Sequence, residues 1–324
     1  MTQTPTVEVV NAHEVVNTRR LRVRHGTHYQ YSNPVERSAH RLHLCPSNDW
    51  KQRVVDYKLT ITPAVQVIEF EDVFGNWSAR FEVNEPYTQL SIVAESVVEQ
   101  FDVDPFGFTK LPTRPRFPVS WMPWERTMLG PYLTPMELPE TQLLEILDYA
   151  QSFVARNNGD LMETLFDINL TLFREYKYVP GTTSLETTPY EVFVTKQGVC
   201  QDLANLFICM ARLLNVPARY VCGYVYTGNT GEARAQSDAS HAWVQLFIPN
   251  IGWKGFDPTN GVLPNTDHVR VAVGRHYRDT APTAGTLYSV ATEQMTLDVE
   301  VVDLDAAPPA PAPEQPAPAP VAVN

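Results

Sequence analysis

The chain has 324 residues, enough for one large or two ordinary domains, and is 44% hydrophobic, as a protein with a buried core requires. Acidic residues outnumber basic ones 37 to 25, a net charge of −12, which argues against a general nucleic-acid footprint and against docking on anionic lipid. No apolar run approaches the length of a membrane span, and the first twenty residues have no signal-peptide core, so the expectation is a soluble cytoplasmic protein with no membrane or nucleic-acid partner.

Residues 1–17 read as a loose arm. Residues 18–100 have β texture: "LRVRHGTHYQY", "VVDYKLTITP", "VQVIEFED", "WSARFEV" and "QLSIVAESVVE" are rich in β-branched and aromatic residues with period-two alternation. "FEDVFGNWSARF" reads as a hairpin turning at Gly75-Asn76. Five or six such strands suggest an antiparallel β-sandwich domain. Residues 101–137, dense in proline and tryptophan, read as an ordered linker laid on a surface.

Helical patterning begins near residue 138. "LPETQLLEILDYAQSFVARNNG" starts at Pro139, stops at Gly159, and carries an apolar face of Leu143, Leu147, Ala150 and Val154. In "DLMETLFDINLTLFREYKY", Asp160 with Glu163 forms a variant capping box. In "TPYEVFVTK", Thr188 caps, Pro189 takes the first turn, Glu191 completes the box, and Gly198 ends the segment. Then comes "KQGVCQDLANLFICMARLLN", a helix apolar nearly all round and therefore buried on most sides. The strands "ARYVCGYVY", "HAWVQLFI", "WKGFDPT", "HVRVAVGR" and "TLDVEVVDL" follow, which completes an α+β unit over 138–303 of helical cluster, central helix and antiparallel sheet. Residues 304–324 are a Pro/Ala tail of low complexity, expected to be disordered.

The four cysteines form no CxxC pair, so neither a disulfide framework nor a zinc site is expected. Cys200 stands apart because it lies at the N-terminus of the buried helix. Orphan amides and the positive end of the helix dipole gather there, and both favour a thiolate and a developing oxyanion. Cys209 is mid-helix, Cys222 mid-strand, and Cys45 lies in a loop or strand end.

A nucleophilic thiol needs an oriented base. "HAWVQLFI" and "GWKGFDP" form a hairpin, and a three- or five-residue loop centred on Pro249 places His241 directly opposite Asp257 on one sheet face. Asp257 would then fix the imidazole for work on Cys200. Trp243 shares the His241 face and is a candidate wall for a substrate groove. The polar segment 227–240 before His241 is a candidate lid. The HxxH spacings His25/His28 and His40/His43 lie in β texture, where residues three apart face opposite ways, so no metal site is expected. Arg275, His276 and Tyr277 follow a strand and receive no role.

"GVCQDLANLFICMARLLNVPARYVCGYV", "SDASHAWVQLFIPNIGWKGFDPTNG" and "VRVAVGRHYRDTAP" resemble the bacterial transglutaminase-like family, and "THYQYSNPVERSAHRLHLCP" through "FGNW" is similar to that family's N-terminal domain. The resemblance spans roughly residues 20–303 and implies a papain-like core with Cys200 as nucleophile, His241 as base and Asp257 as orienting carboxylate. The sequence reading is therefore a cofactor-independent cysteine peptidase or amidase with a peptide or protein substrate. A transglutaminase-like acyl transferase and a non-catalytic binding module are the alternatives.

Overall fold

The computed structural model describes residues 17–102, 114–228 and 240–306. The N-terminal arm up to residue 16, the lid candidate over residues 229–239 and the tail from 307 lie outside them. Among the described residues no helix is long and apolar enough to cross a membrane.

Six strands come first: β1 (Thr18–Val35), β2 (Arg37–Leu42), β3 (Gln52–Thr62), β4 (Val67–Glu71), β5 (Trp77–Val83) and β6 (Tyr87–Phe101). The expected β4–β5 hairpin is present, with Gly75 at φ 80° in its loop, where a side chain would be strained. The region taken as linker contains a helix, α1 (Pro123–Leu133), and Trp121 ahead of it donates its indole N–H to the Asn215 carbonyl at 2.9 Å. The helical cluster is α2 (Glu140–Arg156), α3 (Leu161–Glu175) and α4 (Pro189–Thr195), with a short parallel pair β7 (Lys177–Tyr178) and β8 (Gln197–Gly198).

Capping is largely as read. Asp160 accepts the Glu163 N–H at 3.0 Å, and Thr188 and Glu191 form a reciprocal box. Two details differ. On α2 Ala150 is buried and Leu143, Leu147 and Val154 pack partly buried against the core as expected, but the most buried positions beside Ala150 are Ile146 and Phe153. Helix α4 ends on Lys196 in the left-handed region (φ 55°) rather than on Gly198. Gly198 serves close approach instead, since a Cβ there would stand 2.7 Å from the Cβ of Asp202.

Helix α5 (Cys200–Leu213) is the axis of the second half, and every residue from Asp202 to Arg212 is buried. It packs against the cluster on one side and on the other against an antiparallel sheet of order β11–β10–β9–β12, built from β9 (Ala218–Val225), β10 (His241–Ile248), β11 (Gly252–Phe256) and β12 (His268–Gly274).

The chain then passes through α6 (Tyr277–Thr280) to β13 (Thr283–Tyr288) and β14 (Glu293–Asp303). Here the structure corrects the sequence reading. "TLDVEVVDL" is not part of the β11–β10–β9–β12 sheet: β14 pairs with β1, Leu21 opposite Asp303, and β13 pairs with β2. The N-terminal unit is thus a sandwich of two four-stranded sheets, β14–β1–β6–β3 and β13–β2–β5–β4, whose last strands arrive from the far end of the chain. Its core includes Leu42, Phe81, Leu90 and Ile92. Alternation marks a segment as a strand but does not name its partner, and an edge of the sandwich outcompeted the nearer sheet. Asn76 ties the halves together: its side chain exchanges two 2.8 Å hydrogen bonds with the backbone of Val273 on β12.

Candidate active site

Cys200 is the first residue of α5 and is partly exposed. The helix start is held by Asp202, whose carboxylate accepts the Val199 N–H at 2.7 Å. The other three thiols, Cys45, Cys209 and Cys222, are each pushed up to about 12, burial being the leading cause.

His241 opens β10 and Asp257 directly follows β11. They do pair, His241 Nε2–H donating to Asp257 Oδ2 at 2.8 Å, but not in the expected register. The hairpin loop is Pro249–Ile251, centred on Asn250, which takes the left-handed conformation (φ 64°) that asparagine tolerates. Ile248 faces Gly252 and Val244 faces Phe256, so continuing the ladder sets Asp257 level with Trp243, one diagonal step from His241. Parity keeps both side chains on one face, and the diagonal is within reach.

The carboxylate of Asp257 is buried and fully engaged. Oδ2 accepts from His241 Nε2–H, from the Asn260 side-chain amide at 2.7 Å and from His268 Nε2–H at 3.1 Å. Oδ1 accepts the backbone N–H groups of Thr259 (2.9 Å) and Asn260 (3.2 Å) from the turn after Pro258. Burial alone would raise this carboxyl, but the His241 charge and these hydrogen bonds outweigh it and hold it far below the usual carboxylate range. For His241, burial disfavours the charged form, the Asp257 carboxylate and the neighbouring Cys200 thiol oppose that, and the imidazole is raised to about 10. With Nε2 given to Asp257, the buried Nδ1 has no other hydrogen-bond partner among the described residues, and the Cys200 thiol is the neighbour that acts on the ring.

Trp243 does not wall a groove beside the thiol. It is 2% exposed and packs between two histidines, stacked on His241 (centroids 5.8 Å apart) and edge-on to His268 (5.4 Å). A Cβ at Gly223 would stand 2.6 Å from the indole and 2.1 Å from the Val269 carbonyl, so only glycine lets β9 pass beneath it.

His268, at the start of β12, was not singled out by the sequence reading. Its signal was a histidine opening a strand, but only the strand order brings it to Asp257. Its Nδ1 accepts the Asn265 N–H at 3.3 Å, which fits the tautomer that donates from Nε2. His241, Asp257 and His268 offer ligand atoms within 4.8 Å of one another, but both Nε2–H groups are already committed to Asp257 Oδ2. The HxxH histidines have separate protein partners: His25 with Tyr224, His28 with Ser91, His40 with Ser38, and His43 with Ala281 and Asp72. Arg275 pairs with Asp279, and Tyr277 packs on Tyr220.

Beside Ser240, which precedes His241, a cavity of about 550 Å³ lies between the two halves, lined among others by Tyr29, Leu185, Tyr277, Leu287 and Glu293.

Comparison with known proteins agrees with this architecture. The model of the bacterial transglutaminase-like N-terminal region matches residues 21–99, and that of the transglutaminase-like superfamily matches 147–258. The chain belongs to the transglutaminase-like superfamily. An uncharacterized protein of Mycobacterium tuberculosis is 34% identical over 298 residues, 88% of this chain and 92% of that one. A protein-glutamine gamma-glutamyltransferase of Pseudomonas aeruginosa is 34% identical over 94 residues, 28% of this chain and 14% of that one. A solved structure from Cytophaga hutchinsonii, provisionally designated a cysteine protease, superposes with TM-score 0.70 at 22% identity, covering 90% of this chain and 92% of its own. That likeness shows the fold of this transglutaminase-like chain, including the sandwich ahead of the papain-like unit.

Proposed function

We propose that the protein is a thiol-dependent acyl-transfer enzyme that cleaves an amide or peptide bond through a thioester on Cys200. The observation that carries this reading is the division of labour on His241: Nε2 is spent on a buried carboxylate, and Nδ1 has no other hydrogen-bond partner among the described residues, with the thiol as the neighbour that acts on the ring. His241 takes the Cys200 proton, giving a thiolate–imidazolium pair. The sulfur attacks the substrate carbonyl carbon, backbone N–H groups at the start of α5 steady the oxyanion, and the C–N bond breaks as His241 returns the proton to the departing amine. His241 then draws a proton from water, the hydroxide displaces the thiol, and a carboxylic acid leaves. These steps require no cofactor.

Cys200 is partly exposed, so water reaches a thioester there, and hydrolysis is the fate we favour. An amine acceptor would give transfer instead, a reading supported by the name of the Pseudomonas relative over its matched segment. The cavity beside Ser240 suits a peptide chain held between sandwich and catalytic sheet.

The test is intact-mass trapping of an acyl adduct from a peptide library, with Cys200→Ala as control and with or without added amine. An adduct confined to the wild type supports the reading. A Cys200 that alkylates at neutral pH no faster than a free thiol, with no adduct, leaves the fold as a non-catalytic binding module.

A further inference from the structure

A second cavity, of about 430 Å³, opens where the sandwich segment Asp49–Gln52 and the end of β6 meet β9, β10, β11 and β12. That volume suits a small molecule. Among the described residues its charge is unbalanced: Lys51, Arg219, Lys254 and Arg270 line it, against Asp49 and Asp102. Asp49 is already occupied, because it pairs with Arg270 and accepts the backbone N–H groups of Lys51 (2.7 Å) and Gln52 (3.0 Å). Arg219 donates to Gln245 at 2.8 Å and lies over the Trp253 ring at 4.3 Å. The Lys51 ammonium sits 5.0 Å above Trp50, and among the described residues no carboxylate pairs with it. Burial first, and then the charges of Lys254 and Arg270 against that of Asp49, hold Lys51 down at about 8.

An independent feature points the same way. Gln100, on the same cavity wall, is 3% exposed, and among the described residues its side-chain Nε2 donor has no acceptor. Water would satisfy that donor but would leave the excess positive charge untouched. One anionic oxygen group answers both, and the indole faces of Trp50 and Trp253 suit a flat apolar body behind it.

We propose that this cavity binds a small organic anion, a carboxylate or phosphate monoester carried on a planar apolar group. His268 and Trp243, which also line the cavity, touch Asp257 and His241 respectively. An occupant would therefore act on the triad through them. That regulatory consequence rests on the catalytic reading above, but the site itself does not.

The experiment is isothermal titration calorimetry on full-length Cys200→Ala protein, so that failure of catalysis and failure of binding are read separately. The probes are phenyl phosphate, phenylacetate and neutral benzyl alcohol. Saturable binding of either anion, with Kd weakened about tenfold by Lys51→Gln and no saturation by the alcohol, supports the site, and the tighter anion identifies the group. Gln100→Leu, with the same expected weakening, replaces Lys51→Gln if that variant fails to fold by circular dichroism. Absence of saturable anion binding, equal binding of benzyl alcohol, or affinity unchanged in a folded variant overturns the proposal.

Discussion

Replacing Asp257 by asparagine removes one charge from a buried pair whose bonded atoms are 2.8 Å apart. At an effective dielectric of about 20, opposite charges about 4 Å apart attract by about 4 kcal/mol. With each 1.4 kcal/mol or so worth tenfold in rate, turnover should fall about a thousandfold if imidazolium formation is coupled to the chemical step. Asparagine also puts N–H groups among donors, since the carboxylate now receives five hydrogen bonds and offers none. Thermal unfolding across pH gives an assay independent of any substrate. In the native protein His241 is raised from 6.5 to about 10, burial being outweighed by Asp257. A raised imidazole adds stability that is complete below pH 6.5 and lost as pH climbs towards 10. Asp257, lowered from 3.8, adds stability present above that value and lost as pH falls below it. Both slopes report one interaction from its two ends and do not add. Asp257→Asn should flatten both. A variant that keeps the alkaline slope and turns over within a few-fold of the native protein refutes the reasoning.

His268→Phe keeps a ring against Trp243 but removes one donor to Asp257, and should lower kcat about tenfold with KM unmoved, measured by steady-state kinetics. Gly223→Ala forces a methyl against the Val269 carbonyl and the indole, and should cost about 2–3 kcal/mol in urea unfolding. Asn76→Ala strands both backbone groups of Val273, and should cost about 2 kcal/mol, with faster amide exchange across β12. Truncation after residue 292 strips β14 from β1 and should yield an aggregating chain by light scattering, since a long strand edge is laid bare.

What could be read from the chain were features whose physics is local. Caps at Asp160 and Thr188, the buried helix after Cys200 and the shared face of His241 and Asp257 follow from spacing alone. The hairpin register slipped by one residue at the loop centre because Asn250, rather than Pro249, takes the turn, a choice made by backbone conformation that hydrophobic pattern does not encode. Sharing a face with His241 left open whether Trp243 met solvent or protein, and the packing of His268 against it decided for protein. The contact of His268 with Asp257 and the partner of β14 were missed for a common reason, namely that both depend on the order of strands in a sheet, a long-range choice.

The return of β13 and β14 makes the transglutaminase-like unit an insertion between two portions of one sandwich. During synthesis Leu21 on β1 has no neighbour on its β14 side until about 280 residues of further chain have emerged, since it waits for Asp303. The cavity beside Ser240, walled in part by Leu287 and Glu293, is assembled in that same last step. A nascent chain therefore cannot close this cavity until β13 and β14 have emerged, so any shorter chain lacks that wall of it.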